Sequence, residues 1–305
     1  MTRHRIPFLV LATFIVLAGT LARAEEAAQY VHGDITVPGA SADEPTLEQF
    51  SPALALEYLE QGAAAWTGQR KCVTCHTNGT YMVVRPALSA KLGPPSHAMR
   101  EFFIATLNEF LTENMETLQQ STRPAQVVYV AAGLAEWDAR VRQDLSLETR
   151  QALSLVFSIQ RENGTWGALD CWPPYESDGY HLATVAAMAA ATAPGWLEST
   201  AASSDEKLKA GVARLKEYLR TETPPHDYSR VLLLWAATRM KDLLDESKKS
   251  ELVELIAKHQ RPDGGWSIRT FAAPMPGGRA TGPKSSRPSR TFPIRRATAI
   301  RRDWP

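Results

Sequence analysis

Two stretches a hundred residues apart repeat one pattern: Gln160-Arg161-Glu162-Asn163-Gly164-Thr165-Trp166 and Gln260-Arg261-Pro262-Asp263-Gly264-Gly265-Trp266. Each follows a segment of helical apolar periodicity, predicted over Leu147–Ser158 and Leu243–His259. The Asx-Gly pair turns the chain after a helix. The Trp then buries a large surface, and the Gln amide can satisfy orphan backbone groups of a neighbouring helix end. A weaker third copy is Asn78-Gly79-Thr80-Tyr81, with Cys75 in the place of the Gln. Between the two strong copies the pattern predicts a helix at Leu208–Leu219, a break at Thr223–Asp227 and a helix at Tyr228–Met240. The alanine-rich run Ala183–Ala193 reads as a tightly packed helix. No strand-like alternation competes, so the expected architecture is all-α, a succession of helical hairpins stacked or closed into a ring.

The Q-x-x-x-G-x-W pattern at Gln160/Gly164/Trp166 and Gln260/Gly264/Trp266 resembles the QW repeat of squalene–hopene cyclases and of the related protein prenyltransferases. The resemblance covers roughly residues 46–271 in hairpin rhythm and implies an α/α-toroid, an incomplete barrel of helices around a central cavity. It stops where the chemistry of those enzymes begins. Squalene cyclases protonate a double bond with a D-x-D-D motif, and no such string occurs in this sequence. The D-D-x-x-D string of other terpene synthases is absent too, so cyclase activity is disfavoured. Prenyltransferases hold zinc with spaced Asp, Cys and His, whereas here Asp170 and Cys171 are adjacent.

Charge divides the chain into three parts. The whole sequence carries 34 Lys+Arg and 33 Asp+Glu. Residues 1–24 hold Arg3, Arg5 and Arg23 and no acid, and residues 272–305 hold eight basic residues against Asp303 alone. The remaining 23 basic and 32 acidic residues give residues 25–271 a net charge of −9, which argues against a nucleic-acid partner. The first segment has a positive end, an apolar run from Ile6 to Gly19, and small residues at Ala22 and Ala24. It reads as a signal peptide cleaved near Ala24, giving a secreted or periplasmic protein. The run is short for a permanent transmembrane anchor, and no other stretch approaches that length. Residues 25–45 are expected to be a flexible segment before the helical domain.

Residues 272–305 lose hydrophobic periodicity and read either as a disordered basic tail or as a frameshifted end. One allowed set of codons for Arg290–Pro305, read two nucleotides on, encodes D-I-P-D-P-P-S-D-G-H-P-T-G-L-A. That string echoes Pro173–Ala183 of this chain, P-P-Y-E-S-D-G-Y-H-L-A.

Cys72-Val73-Thr74-Cys75-His76 is the sharpest chemical motif. C-x-x-C-H is the attachment signature of haem c: two thiols form thioethers to the haem vinyls and the adjacent His reaches the iron. Attachment after export agrees with the N-terminal segment. Met82, His97, Met99 and Met115 are candidates for the second axial ligand, which the sequence leaves unknown. Three other readings stay open: a local Cys72–Cys75 disulfide, a zinc site completed by His76 and Cys171, and a chance match holding nothing. The partners expected are a redox partner or an apolar small molecule.

Two further clusters precede predicted helices: Asp178, Tyr180 and His181, then His226, Asp227 and Tyr228. Asp178 and Asp227 suit helix N-caps. In a toroid, Asp178, His181 and Asp227 would instead face a cavity mouth as acid/base groups of a terpenoid- or carbohydrate-active enzyme. Trp172, Tyr175 and Trp235 are candidates to line an apolar or carbohydrate-binding cavity, with core packing the better reading of Trp235. Asn78 and Asn163 each open an N-x-T sequon, meaningful only in a eukaryotic secretory route.

Overall fold

A computed structural model describes residues 28, 30–37, 49, 51–167, 179–262, 264–266 and 268–271. The expected signal segment, the tail 272–305, and Asp170, Cys171, Trp172, Tyr175 and Asp178 lie outside the described residues. The described chain is mostly helical. Its one departure from an all-α reading is a hairpin, β1 (Tyr30–His32) and β2 (Ile35–Val37), within the segment expected to be flexible. Gly33 at φ +57° permits the two-residue turn, and Val37 is buried. The hairpin packs on α1 (Pro52–Arg70), where a Cβ at Gly68 would strike the His32 ring. Three-residue strands are too short for alternation to announce them.

Ser51 caps α1, accepting from Leu54 N, with Pro52 as its first residue. There follow α2 (Asn78–Val84), a 3₁₀ turn at Arg85–Leu88, α3 (Ser89–Leu92), α4 (His97–Thr112) and α5 (Met115–Leu118). Next come α6 (Arg123–Trp137), which ends in a π turn at Asp138–Arg142, and α7 (Leu147–Ser158). After the segment outside the described residues come α8 (Gly179–Thr192), α9 (Trp196–Ala202), α10 (Glu206–Thr221), α11 (Asp227–Arg239), α12 (Glu246–Lys258) and α13 (Ile268–Phe271).

The long helices pack in two rows. Helices α2, α6, α8 and α11 each lie against the next, while α4, α7 and α10 form a second row against them. The first row is close-packed because its contact residues are small. The eleven residues from Tyr180 to Ala190 are all buried, five of them alanine. On α6, a Cβ at Gly133 would come within 2.8 Å of Met82 Cβ and 2.7 Å of Phe103.

The second row is joined by the repeated turn. Gln160 Nε2 donates to Gly164 O within its own turn and to Gly211 O on α10, both at 3.1 Å. Its Oε1 accepts from Arg214 Nη2 at 3.1 Å. The Gln thus reaches the interior of the next helix, not an orphan group at its end as expected. Gly211 permits this: a Cβ there would lie 3.0 Å from Phe157 and 3.1 Å from Gln160 Oε1. Trp166 is 1% exposed, donates to Val156 O at 2.7 Å, and packs edge-on against Phe157, which stacks on Trp196. Gln260 and Trp266 repeat the local bonds, to Gly264 O and Ile256 O, both at 2.8 Å.

The weaker third copy does not repeat this geometry. Asn78-Gly79-Thr80-Tyr81 opens helix α2 instead of turning the chain, because the Asn78 side chain is committed to the preceding loop.

Gly164 and Gly264 share a positive φ, +86° and +81°, but a Cβ at Gly164 would lie 2.6 Å from Arg214 O whereas nothing lies within 4 Å at Gly264. Gly264→Ala is therefore expected to cost about 1–2 kcal/mol from backbone strain. Gly164→Ala is expected to lose about 1–3 kcal/mol more by displacing α10. Urea denaturation of both variants checks this; equal losses would mean that α10 does not rest on the turn.

Candidate functional site

The loop from Cys72 to Thr77 joins α1 to α2, and one buried amide organises it. Asn78 Oδ1 accepts from Thr74 N at 2.9 Å, while Nδ2 donates to Cys72 O at 3.0 Å and Thr67 Oγ1 at 3.1 Å. Trp66 Nε1 donates to Cys72 O at 3.2 Å and Gly79 N to Thr74 O at 2.9 Å. Thr80 Oγ1 donates to Cys75 O. Gly79 is required here, since a Cβ would lie 2.3 Å from Thr74 O. The loop backbone is thus held by side chains from both flanking helices.

No disulfide joins Cys72 to Cys75. Cys72 is half-buried, Cys75 is 4% exposed, and His76 is exposed. His76 Nδ1 lies 2.8 Å from Thr74 Oγ1 and 3.6 Å from Cys75 Sγ, and its ring meets Trp66 edge-on at 5.2 Å. Among the described residues no group of three or more His, Cys, Asp or Glu converges on a metal-sized site. Cys171, the fourth member of the zinc reading, lies outside them. A closed zinc site needs its donors to converge. A haem c site needs two thiols and an imidazole; the loop carries Cys72 half-buried, His76 exposed and Cys75 buried beside the His76 ring.

The four axial-ligand candidates separate. Met99 lies nearest the loop: its Sδ is 3.6 Å from Thr67 Oγ1, whose proton goes to Ala63 O at 2.8 Å and whose oxygen receives Asn78. Met82 is fully buried in the core, His97 packs edge-on against Trp137 at 5.2 Å, and Met115 is 43% exposed on α5.

Behind the loop, Tyr81 OH donates to Glu60 Oε1 at 3.3 Å, and Arg85 Nε lies 3.3 Å from the same oxygen. Arg85 also donates to Gly93 O and Leu92 O. Burial, reinforced by Glu60, pushes the Tyr81 phenol up to about 12. A folded pKa raised above the unfolded value of 10.0 contributes stability that is fully present below pH 10 and is lost as pH rises through about 12. Through Tyr81, the α1–α2 junction therefore weakens as pH rises from 10 through about 12.

The second candidate cluster divides in two. His181 is buried, with Nε2 2.9 Å from Tyr129 OH and its ring 6.1 Å from Tyr228. Asp227 faces the other way: Oδ2 lies 2.7 Å from His259 Nε2, and Oδ1 accepts from Arg230 Nη1 at 2.9 Å. Asp227 is not the N-cap expected of it. His226 caps α11, its Nδ1 accepting from Ser229 N at 3.2 Å, which leaves Asp227 as the first helical residue. The Tyr129 and His259 partners were not foreseen, because each arrives from a distant helix. Trp235 packs against the core as expected. A cleft of about 560 Å³ lies beside this second cluster, lined among others by Tyr180, Arg220, Arg230, Asp242 and Lys248.

No helix of the described residues is long and apolar enough to cross a membrane. Comparison of the chain with protein-family models, curated proteins and solved structures finds no match.

Asn78→Ala removes three hydrogen bonds from a residue that is 0% exposed. It is expected to cost about 1–3 kcal/mol and to speed labelling of Cys72 and Cys75 by a thiol reagent under native conditions. Unchanged labelling would show that Asn78 does not hold the loop.

Proposed function

We propose that this is an exported helical-repeat protein whose Cys72/Cys75/His76 loop carries a covalently attached haem c, serving electron transfer or ligand binding. The observation that carries this reading is the 2.8 Å contact between His76 Nδ1 and Thr74 Oγ1 on a loop fixed by Asn78. An imidazole that binds a metal through one nitrogen commonly has its other nitrogen held by a neighbouring acceptor. In the tautomer that carries its proton on Nδ1, His76 donates to Thr74 Oγ1 and keeps the Nε2 lone pair for iron. The two thiols are not equivalent. Cys72 is half-buried, whereas Cys75 is 4% exposed with its Sγ 3.6 Å from His76 Nδ1, so Cys72 is the thiol placed to react first. When bound, the haem would supply one-electron or gas-ligand chemistry. The chain's own part is to fix the ring edge with Cys72 and Cys75 and to orient His76. The nearness of Met99 Sδ to Thr67, which anchors the loop through Asn78, favours Met99 among the second ligands.

The continuous row α2–α6–α8–α11 with α4, α7 and α10 behind it supports an α/α-toroid of the QW-repeat kind. The charged, signal-like N-terminus supports export, and the acidic residues 25–271 suit a basic redox partner. A second reading rests on the Asp227–His259 pair at 2.7 Å, linked through Arg230 to the 560 Å³ cleft. It is a carboxylate–imidazole arrangement suited to acid/base chemistry on a terpenoid, carbohydrate or other small substrate.

Expression with haem-attachment machinery tests the main reading. The wild-type chain is expected to show a Soret band that survives denaturation. Cys72→Ala with Cys75→Ala should abolish covalent attachment, while His76→Ala should alter the iron's axial spectrum. A colourless wild-type protein would overturn it.

A further inference from the structure

The two strong copies of the repeated turn are alike in their own bonds and opposite in what covers them. Arg161 N donates to Thr165 O at 2.8 Å in the first copy, and Arg261 N to Gly265 O at 2.9 Å in the second. Helix α10 covers the first. Gln160 donates to Gly211 O, and a Cβ at Gly164 would lie 2.6 Å from Arg214 O and 3.2 Å from Tyr218 Cβ. In the second copy Val253, Ala257, Gln260 and Trp266 are all exposed, Trp266 by 50% against 1% for Trp166. Nothing among the described residues lies within 4 Å of a Cβ at Gly264. Gln260 Nε2 donates to Gly264 O, as Gln160 Nε2 does to Gly164 O, and an amide nitrogen carries a second proton to give.

A match for α10 lies on the same chain, at the other end of the first row. Helix α1 packs on α2 and on the β1–β2 hairpin, and its outer side carries Leu54, Ala55, Tyr58 and Leu59, all exposed. With Gly62 they fall at i, i+1, i+4, i+5 and i+8, one apolar stripe of a helix. Glycine weakens a helix interior unless something approaches it closely. Among the described residues every other glycine inside a helix has a neighbour within 4 Å of its would-be Cβ, whereas Gly62 has none. Leu59-Glu60-Gln61-Gly62-Ala63 also repeats the order of Leu208-Lys209-Ala210-Gly211-Val212, where Gly211 brings the α10 backbone up to Gln160. The chain thus presents both halves of one contact, each with its glycine uncovered.

We propose that α1 of one copy docks on the Val253–Trp266 face of a second copy, head to tail, with the Gly62 carbonyl accepting from Gln260 as Gly211 accepts from Gln160. The Leu54–Leu59 stripe then covers Val253 and Trp266. Two different surfaces meet, so the copies assemble into a ring or an open chain. Arg214, which donates to Gln160 Oε1 from three residues beyond Gly211, has no counterpart, because Ala65 stands at that place on α1. The contact between copies lacks one bond of the contact within the chain, and the association is expected to be reversible. The proposal does not depend on the haem reading.

Sedimentation velocity of the exported chain tests this. The average mass is expected to rise with concentration above that of a single copy. Gly62→Gln puts a good helix former into open space and blocks the backbone approach, while Val253→Glu places a charge on the opposite face. Each variant alone is expected to keep its far-UV circular dichroism and to stay at the mass of one copy. Mixed in equal amounts, the two are expected to pair and double that mass, because each retains the surface that the other has lost. Leu59→Lys, at an exposed side chain, replaces Gly62→Gln in the same mixture should that variant fail to fold. A wild-type chain that stays single at every concentration, a variant that still associates alone, or a mixture that does not pair overturns the proposal.

Discussion

The amide of Gln160 is the contact on which the second row of helices depends. One side chain closes its own turn at Gly164 and holds α10 at Gly211, so the end of one helix and the path of another are set together. The bond is possible only because glycine occupies both carbonyl positions. Gly164 takes a positive φ to make the turn, and Gly211 lets the helix approach to contact distance. Beneath it Trp166, Phe157 and Trp196 fill the space between α7, α9 and α10. Packing of large aromatics against an oriented polar contact gives both stability and register, which small alanine-rich surfaces cannot specify alone.

The cysteine loop is held on a different principle. It lies where the first row begins, and polar side chains fix it where aromatic packing fixes the repeated turn. Asn78 gathers Thr74, Cys72 and Thr67, while Glu60, Tyr81 and Arg85 lock α1 against α2. Directional bonds of this kind set atom positions more sharply than apolar contact does.

Much of this was legible in the sequence where the signal is local. Helix α7 runs over Leu147–Ser158, as its apolar period indicates, and α10 and α11 fall within two residues of expectation. The Asx-Gly turns of both strong copies form as their chemistry suggests, but Trp266 stays 50% exposed where burial was expected, and Gln160 bonds the interior of α10. Legibility ends where a residue's role is decided by something distant. Asn78-Gly79-Thr80-Tyr81 looks like a turn in isolation, but the loop before it captures Asn78 and turns the segment into a helix start. Asp227 has the preferred chemistry of an N-cap, yet His226 takes that position and Asp227 pairs with His259 on α12. His181 reads as a core imidazole on a largely apolar helix until Tyr129 meets it from α6. The β1–β2 hairpin is set by Gly33 and by packing on α1, neither of which gives a periodic signal. Asp178 and Cys171 lie outside the described residues, and their roles rest on the sequence reading alone.

The central claim is that Cys72 and Cys75 are haem-bearing residues on a helical-repeat body. Intact-mass spectrometry of the exported chain, made in a host that attaches haem c and run in denaturing solvent, measures this directly. The account expects a mass increased by one haem, retained through acid–organic extraction and located by peptide mapping to the Cys72–His76 segment. A chain at its unmodified polypeptide mass, with Cys72 and Cys75 recovered as thiols or as a disulfide, would contradict it.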